Sequence, residues 1–278
     1  MDLAFDRRGS GPPLLLIHGI GSRRGVWDPV VPMLERERDV IALDLPGFGD
    51  SPSLPAGTAP TVEALTDAVV EFARGLGLAV DAAPAAGAPA ADAPRAARPH
   101  VAGNSLGGGI ALELARRGAV ASATALSPIG FGSGPERAYG AATLRLSRLG
   151  ARRATAPLQR IVGSPTGRAL ALGAYYGHPL RRDAAAARAD LEALGRCPGF
   201  EATLPSVRRY VFHDGEQLRD VPVTIGWGTR DRLLVPRQAE RARAALPSAR
   251  HVPLPGCGHI PMSDDPAGVA ALLLETSA

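Results

Sequence analysis

Ser105, Asp231 and His259 are the side chains whose types and settings could together perform nucleophilic chemistry. Ser105 sits in Gly103-Asn104-Ser105-Leu106-Gly107-Gly108-Gly109, between an extended run ending at Ala102 and a helical run, Ile110–Arg117. A strand that turns sharply into a helix holds such a serine in a strained backbone conformation. Side chains two residues before or after it would clash, so Gly103 and Gly107 fit the turn. The turn lifts the hydroxyl above the sheet edge and puts the Leu106 N–H at a helix N-terminus, where negative charge is favoured. A serine hydroxyl is a weak nucleophile and needs an adjacent base, which in turn needs an orienting group. His259, in Gly258-His259-Ile260-Pro261, supplies the first type. Asp231, in Gly228-Thr229-Arg230-Asp231, supplies the second. Each also has a plainer reading. Ser105 could be a helix N-cap, Asp231 could order a turn or cap the helix near Pro236, and His259 could be a solvated loop residue. The joint occurrence, each residue following its own strand, favours a catalytic set.

Acyl chemistry on a serine also needs two donors for the developing oxyanion. The Leu106 N–H is one. The Ile20 N–H is the other, in the loop His18-Gly19-Ile20 that follows the run Leu14–Ile17. Gly19 lets the backbone approach closely there, and His18 is expected to brace the loop rather than act as a base. His100, His178, His213 and His251 read as structural or solvated. The two cysteines, Cys197 and Cys257, form no metal-ligand spacing or disulfide framework. Neither a metal nor a cofactor is expected.

The elements that must position these residues alternate between strand and helix. Leu3–Phe5 is a candidate first strand. Leu14–Ile17, Val40–Leu43, His100–Ala102, Ala123–Ser127, Val221–Gly228 and Arg250–Leu254 follow, several of them continuous apolar runs suited to burial on both faces. Helices are expected over Val26–Arg36, Thr61–Leu76 (capped by Thr61), Ile110–Arg117, Pro236–Leu246 and Asp265–Leu274, the last capped by Asp264 or Asp265. The pattern predicts an α/β fold with a doubly wound, mostly parallel sheet, whose chemistry sits at the carboxyl ends of the strands. An Ala/Pro-rich stretch at about 80–98 reads as a flexible surface insertion. Between 133 and 219 the alternation lapses into an Ala/Arg/Leu-rich helical segment.

With 278 residues, 45% of them hydrophobic, the chain can bury a sizeable core. The formal charge of +4 comes from interspersed arginines. No basic run interleaved with aromatics is present, which argues against nucleic acid. No apolar run is long enough to span a membrane, and the first residues do not read as a leader. A cytoplasmic protein acting on a small molecule is expected. The oligomeric state is open.

Taken together, His18-Gly19 with Trp27 downstream, Asp44-Leu45-Pro46-Gly47-Phe48-Gly49-Asp50-Ser51, Gly103-Asn104-Ser105-Leu106-Gly107-Gly108, Gly228-Thr229-Arg230-Asp231 and Gly258-His259 resemble the α/β-hydrolase fold superfamily. The likeness is to its serine esterases, lipases and carbon–carbon bond hydrolases. The chain order Ser105, Asp231, His259 is the one that family uses. The resemblance implies a hydrolase core over 1–132 and 220–278, with a helical cap at 133–219. It also implies cleavage of a carboxylic ester through an acyl-enzyme, with no cofactor. Relatives that open epoxides or remove halides carry an aspartate at the elbow, so Ser105 excludes those activities. Tyr175-Tyr176 resembles the epoxide-binding tyrosines of those relatives, but two adjacent residues of a helix cannot both face one pocket. Leu144, Leu146, Leu149, Leu158, Ile161, Leu170 and Leu172 could roof a pocket, and Arg145, Arg152 and Arg153 could attract an acidic substrate. Alternatives left open are hydrolysis of a carbon–carbon bond in a vinylogous diketone, thioesterase or perhydrolase activity, and a non-catalytic ligand-binding receptor on the same fold.

Overall fold

The computed structural model of the chain describes residues 1–80, 97–153, 155–213, 215–218 and 221–278. The Ala/Pro-rich stretch therefore lies almost wholly outside the described residues. Seven strands form one sheet: β1 (Phe5–Arg8), β2 (Pro13–Ile17), β3 (Asp39–Leu43), β4 (His100–Asn104), β5 (Ala123–Leu126), β6 (Val223–Gly228) and β7 (Arg250–Leu254). Their order is β1-β3-β2-β4-β5-β6-β7. β1 runs antiparallel to β3 and every other pairing is parallel.

The helices, in chain order, are α1 (Val31–Leu34), α2 (Val62–Gly75), α3 (Leu106–Arg116), α4 (Gly134–Arg153), α5 (Thr155–Gly163), α6 (Pro165–Leu172), α7 (Ala184–Arg196), α8 (Phe200–Arg209), α9 (Arg237–Ala245), α10 (Pro261–Asp264) and α11 (Pro266–Thr276). The apolar strand runs are continuous because both faces are covered. Leu15, Ile17, Ile41, Leu43 and Val101 point to one side, against Leu65, Val69, Ile110 and Leu114 of α2 and α3. Leu14, Leu16, Val40 and Ala102 point to the other, against Trp27, Leu34, Val269 and Leu273. Full burial of an aliphatic side chain contributes about 1.5–3 kcal/mol, so these rows hold the strand ends in fixed register.

Two local expectations shift. The first strand is Phe5–Arg8 rather than Leu3–Phe5: Leu3 is drawn into the core, while all four strand residues are exposed. An edge strand tolerates the charges of Asp6, Arg7 and Arg8, which also discourage pairing with another chain. The single helix expected over Val26–Arg36 is instead a 3-10 turn, Arg24–Trp27, followed by α1. Pro32 lies in the first turn of α1, the position where its missing N–H costs nothing, and so it starts a helix there rather than continuing one. Thr61 caps α2 by accepting the Ala64 N–H. Asp265, not Asp264, caps α11 through the Gly268 N–H. Helices α4 to α8 all lie between β5 and β6. No described helix is long and apolar enough to cross a membrane.

Candidate active site

β4 delivers Ser105 at its carboxyl end, and α3 begins at the next residue. Ser105 has φ 58° and ψ −114°, in the left-handed half of the map that a non-glycine residue rarely adopts. The glycines around it are sterically required. A Cβ on Gly103 would collide with the Gly107 backbone, and one on Gly107 with the carbonyl of Ile17. The strain is held by the surrounding ladder: Ser105 donates its N–H to Leu126 O (2.9 Å) and accepts from the Gly109 and Ile129 N–H groups. Ser105 is 6% exposed.

The loop after β2 comes up against this turn. A Cβ on Gly19 would lie 3.1 Å from the Ser105 Cβ and 3.4 Å from the carbonyl oxygen of Asn104. His18, fully buried, fixes that loop. Its Nε2 accepts the Leu45 N–H (2.9 Å), so its Nδ1 carries the proton and donates to Gly19 O (2.7 Å). Burial pushes the His18 pKa down, although the nearby Asp44 carboxylate opposes this. The ring is therefore neutral, with both nitrogens occupied. The ring joins the two loops and has no nitrogen left to act as a base. Asp44, also buried, anchors the neighbouring loop through the Arg24 and Asp50 N–H groups and an ion pair with Arg24.

β6 and β7 deliver the other two residues. His259 Nδ1 lies 2.8 Å from Asp231 Oδ2, and each residue is 3% exposed. Asp231 Oδ1 meanwhile accepts the N–H groups of Leu233 (2.9 Å) and Leu234 (2.8 Å). Asp231 thus does order a turn, and the same turn aims its second oxygen at the imidazole. With Oδ2 as the acceptor, Nδ1 carries the proton and Nε2 is left free to accept one. Ser105 and His259 line one cavity, together with Gly19, Ile20 and Asn104. The Ser105 hydroxyl itself makes no hydrogen bond to the ring.

Two residues to which sequence reasoning gave no part in the site position His259. Asn104 Nδ2 donates to Leu126 O (3.0 Å) and to the His259 carbonyl (2.9 Å), tying the elbow to the histidine loop. Asp264, fully buried, accepts the N–H of Gly258 (2.7 Å) on Oδ2, next to the histidine. It also accepts the N–H groups of Gly177 (2.8 Å) and His178 (2.6 Å). The signal for Asn104 was its place beside Ser105. Asp264 left none, since it looks like a second cap for α11.

The cavity has a volume of about 250 Å³ and its wall is mainly apolar. A smaller one of about 40 Å³ shares Ile20, Ser105, Leu144 and Leu233 with it and extends toward Ile129, Gly130 and Leu204, without His259. Several expected roof residues are elsewhere. Leu144 and Leu172 line the cavity, but Leu146, Leu149, Ile161 and Leu170 face solvent, and Leu158 lies outside the described side chains. Arg145, Arg152 and Arg153 are exposed and off the cavity. Tyr175 and Tyr176 both line it. α6 ends at Leu172, so helical spacing does not separate them. Among the described residues no cluster of histidine, cysteine and acidic side chains could hold a metal.

A protein of Mycobacterium tuberculosis is 30% identical to the chain over 286 residues, covering 95% of this chain and 74% of that one. A pimeloyl-[acyl-carrier protein] methyl ester esterase of Legionella pneumophila is 41% identical over 54 residues, 19% of this chain and 23% of that one. The fold superposes on a thermophilic esterase from Thermogutta terrifontis with a TM-score of 0.69 at 22% identity, covering 98% of this chain and 92% of that one. The model of the alpha/beta hydrolase family matches residues 14–272, and the chain belongs to that family.

Proposed function

We propose that the chain is a serine hydrolase of carboxylic esters, with Ser105 as nucleophile, His259 as general base and acid, and Asp231 as its orienting group. The observation that carries this reading is the bond from His259 Nδ1 to Asp231 Oδ2, which leaves Nε2 as the acceptor on a cavity wall shared with Ser105. The esterase sharing 41% identity over a short stretch lends it support. Ser105 Oγ attacks the ester carbonyl as Nε2 takes its proton. The carbonyl oxygen becomes an oxyanion facing the N–H groups of Leu106 and Ile20. As the intermediate collapses, the carbon–alkoxide bond breaks and His259 returns the proton to the departing alcohol. Water, deprotonated by the same nitrogen, then releases the acid from Ser105.

The two cavities orient the substrate. The departing oxygen must reach His259, which lines only the larger cavity. The alcohol half therefore lies there, under a cap formed by the helices inserted between β5 and β6. The acyl half enters the smaller cavity, whose 40 Å³ accommodates about three water-sized groups. A fluorophosphonate probe tests the assignment. It should label the protein at Ser105, and Ser105→Ala should abolish both labelling and ester hydrolysis while leaving the melting temperature within a few degrees. Failure to label Ser105 would leave a ligand-binding protein on a hydrolase scaffold.

A further inference from the structure

Tyr175 is out of keeping with the cavity it lines. Its hydroxyl is buried and has no hydrogen-bond partner. Its backbone, by contrast, is fully engaged: the N–H donates to Leu172 O (2.9 Å), and the carbonyl accepts the Ile260 N–H (3.0 Å), one residue from His259. The ring is thus held in place while its polar end is left open. The neighbouring Tyr176 is the opposite case. Its hydroxyl donates to Asp190 Oδ2 (2.9 Å), and Arg182 fills both oxygens of that carboxylate at 2.8 Å each. In that network the single hydroxyl donor of Tyr176 is spent on Asp190.

Other polar groups on the same wall do not answer Tyr175. Asn104 spends its amide on two carbonyls. Ser147 of α4 stands near enough to act on the phenol but is not in hydrogen-bond geometry with it. Burial pushes the Tyr175 pKa up, so the hydroxyl stays protonated and is a donor at any physiological pH. A buried donor without an acceptor is costly, and a site built around one discriminates strongly for ligands that supply the acceptor.

We propose that the Tyr175 hydroxyl is a specificity determinant that binds an uncharged acceptor oxygen, a ketone or ether, on the half of the substrate lodged in the larger cavity. The class of substrate is then an ester of an otherwise apolar alcohol carrying such an oxygen several bonds from the scissile link. Arg23 also lines the cavity, but the Tyr175 hydroxyl is buried without a partner in a mainly apolar wall, where an anionic group would lose its hydration. The proposal rests on the ester-hydrolase reading, and the test separates the two.

The experiment uses acetates of linear alcohols in which a ketone is moved along the chain, each paired with its methylene analogue. The intact protein and Tyr175→Phe are compared. For the intact protein, kcat/KM should favour the best ketone over its methylene partner by about tenfold to a hundredfold. Tyr175→Phe should erase that ratio, with the loss falling on the ketone rather than on its methylene partner. The same pairs are titrated calorimetrically into Ser105→Ala and Ser105→Ala/Tyr175→Phe, which reads the ratio without turnover. Tyr175→Phe should melt no lower than the parent, since it removes an unpaired hydroxyl. Three results would overturn the proposal: no ketone outranking its partner in rate or in binding, both members of a pair falling equally in Tyr175→Phe, or a melting temperature several degrees lower. Absence of hydrolysis with the binding ratio intact would instead overturn the esterase reading alone.

Discussion

Replacing Asp231 with asparagine should disable the site through the proton's position on the imidazole, and the structure fixes why. Asp231 Oδ1 accepts two backbone N–H groups, from Leu233 and Leu234, while Oδ2 faces His259 Nδ1. An asparagine has one oxygen, and two donors compete for it against one. The amide will keep its oxygen on the Leu233–Leu234 side and turn its NH2 toward the ring. Nδ1 must then accept, so the ring proton moves to Nε2, the nitrogen that has to receive the Ser105 proton. The reverse orientation would press the NH2 against two N–H donors, at about 1–3 kcal/mol for each group left unpaired. The sum of about 2–6 kcal/mol leaves the competent arrangement populated at one part in about 30 to one in about 10⁴. Loss of the carboxylate's charge weakens the imidazolium further. The expected fall in kcat is about 10³- to 10⁴-fold, in line with the same substitution in the protease triad, with KM little changed. Hydrolysis of p-nitrophenyl acetate followed alongside thermal unfolding checks it. A folded Asp231→Asn variant retaining more than a tenth of the parent kcat would refute the reasoning.

Across p-nitrophenyl esters of graded length, kcat/KM should be highest for acetyl to butyryl and fall by at least tenfold at octanoyl, because the smaller cavity, proposed to take the acyl group, holds only about 40 Å³. A rising trend would place the acyl group in the larger cavity instead. Cys197 and Cys257 should resist maleimide in the native protein and react on unfolding. Burial raises both thiols, that of Cys257 to about 12, so neither is a thiolate near neutrality; prompt native labelling counts against this. Stability should fall between pH 7.5 and pH 5.5. Burial lowers the pKa of His18 and of His100 from 6.5, so the unfolded chain binds protons that the folded one refuses. Their contribution is complete above about 6.5 and is lost as the pH drops below it. An equal or higher urea midpoint at pH 5.5 would contradict this.

The sheet was legible because its inner strands are buried on both faces and so read as unbroken apolar runs. Ser105, Asp231 and His259 stood out as candidates because each follows a strand in a loop dense with glycine, although β7, before His259, is a partly exposed edge strand and not an apolar run. What stayed hidden depends on contacts distant in sequence. Asn104 reaches His259 across 155 positions and Gly177 reaches Asp264 across 87, and no periodicity records either. Leu146, Leu149, Ile161 and Leu170 looked able to roof a pocket because apolarity alone does not say which side of a helix faces inward. Tyr175 and Tyr176 were separated by a helical spacing that does not apply, since the helix stops at Leu172 and frees both rings to turn inward.

The placement of His259 is shared between the elbow and the inserted helices. From below, Asn104 holds its carbonyl. From above, the turn 175–178 grips the residues on either side: Ile260 donates to Tyr175 O, and Asp264 joins Gly258 to Gly177 and His178. The two segments meet backbone to backbone. A Cβ on Gly258 would strike the Tyr175–Gly177 main chain, and one on Gly177 would strike Gly256 and Gly258. Packing that close cannot slide, because each buried N–H at the seam would lose its acceptor. The turn that presents Tyr175 to the cavity is therefore the turn that sets the imidazole. A change that shifts the main chain of the turn 175–178 will displace His259 along with Tyr175. Substitutions that displace this seam, such as at Gly177 or Gly258, should consequently shift kcat together with selectivity, whereas side-chain changes at Leu144 or Ser147 of α4 can tune selectivity alone.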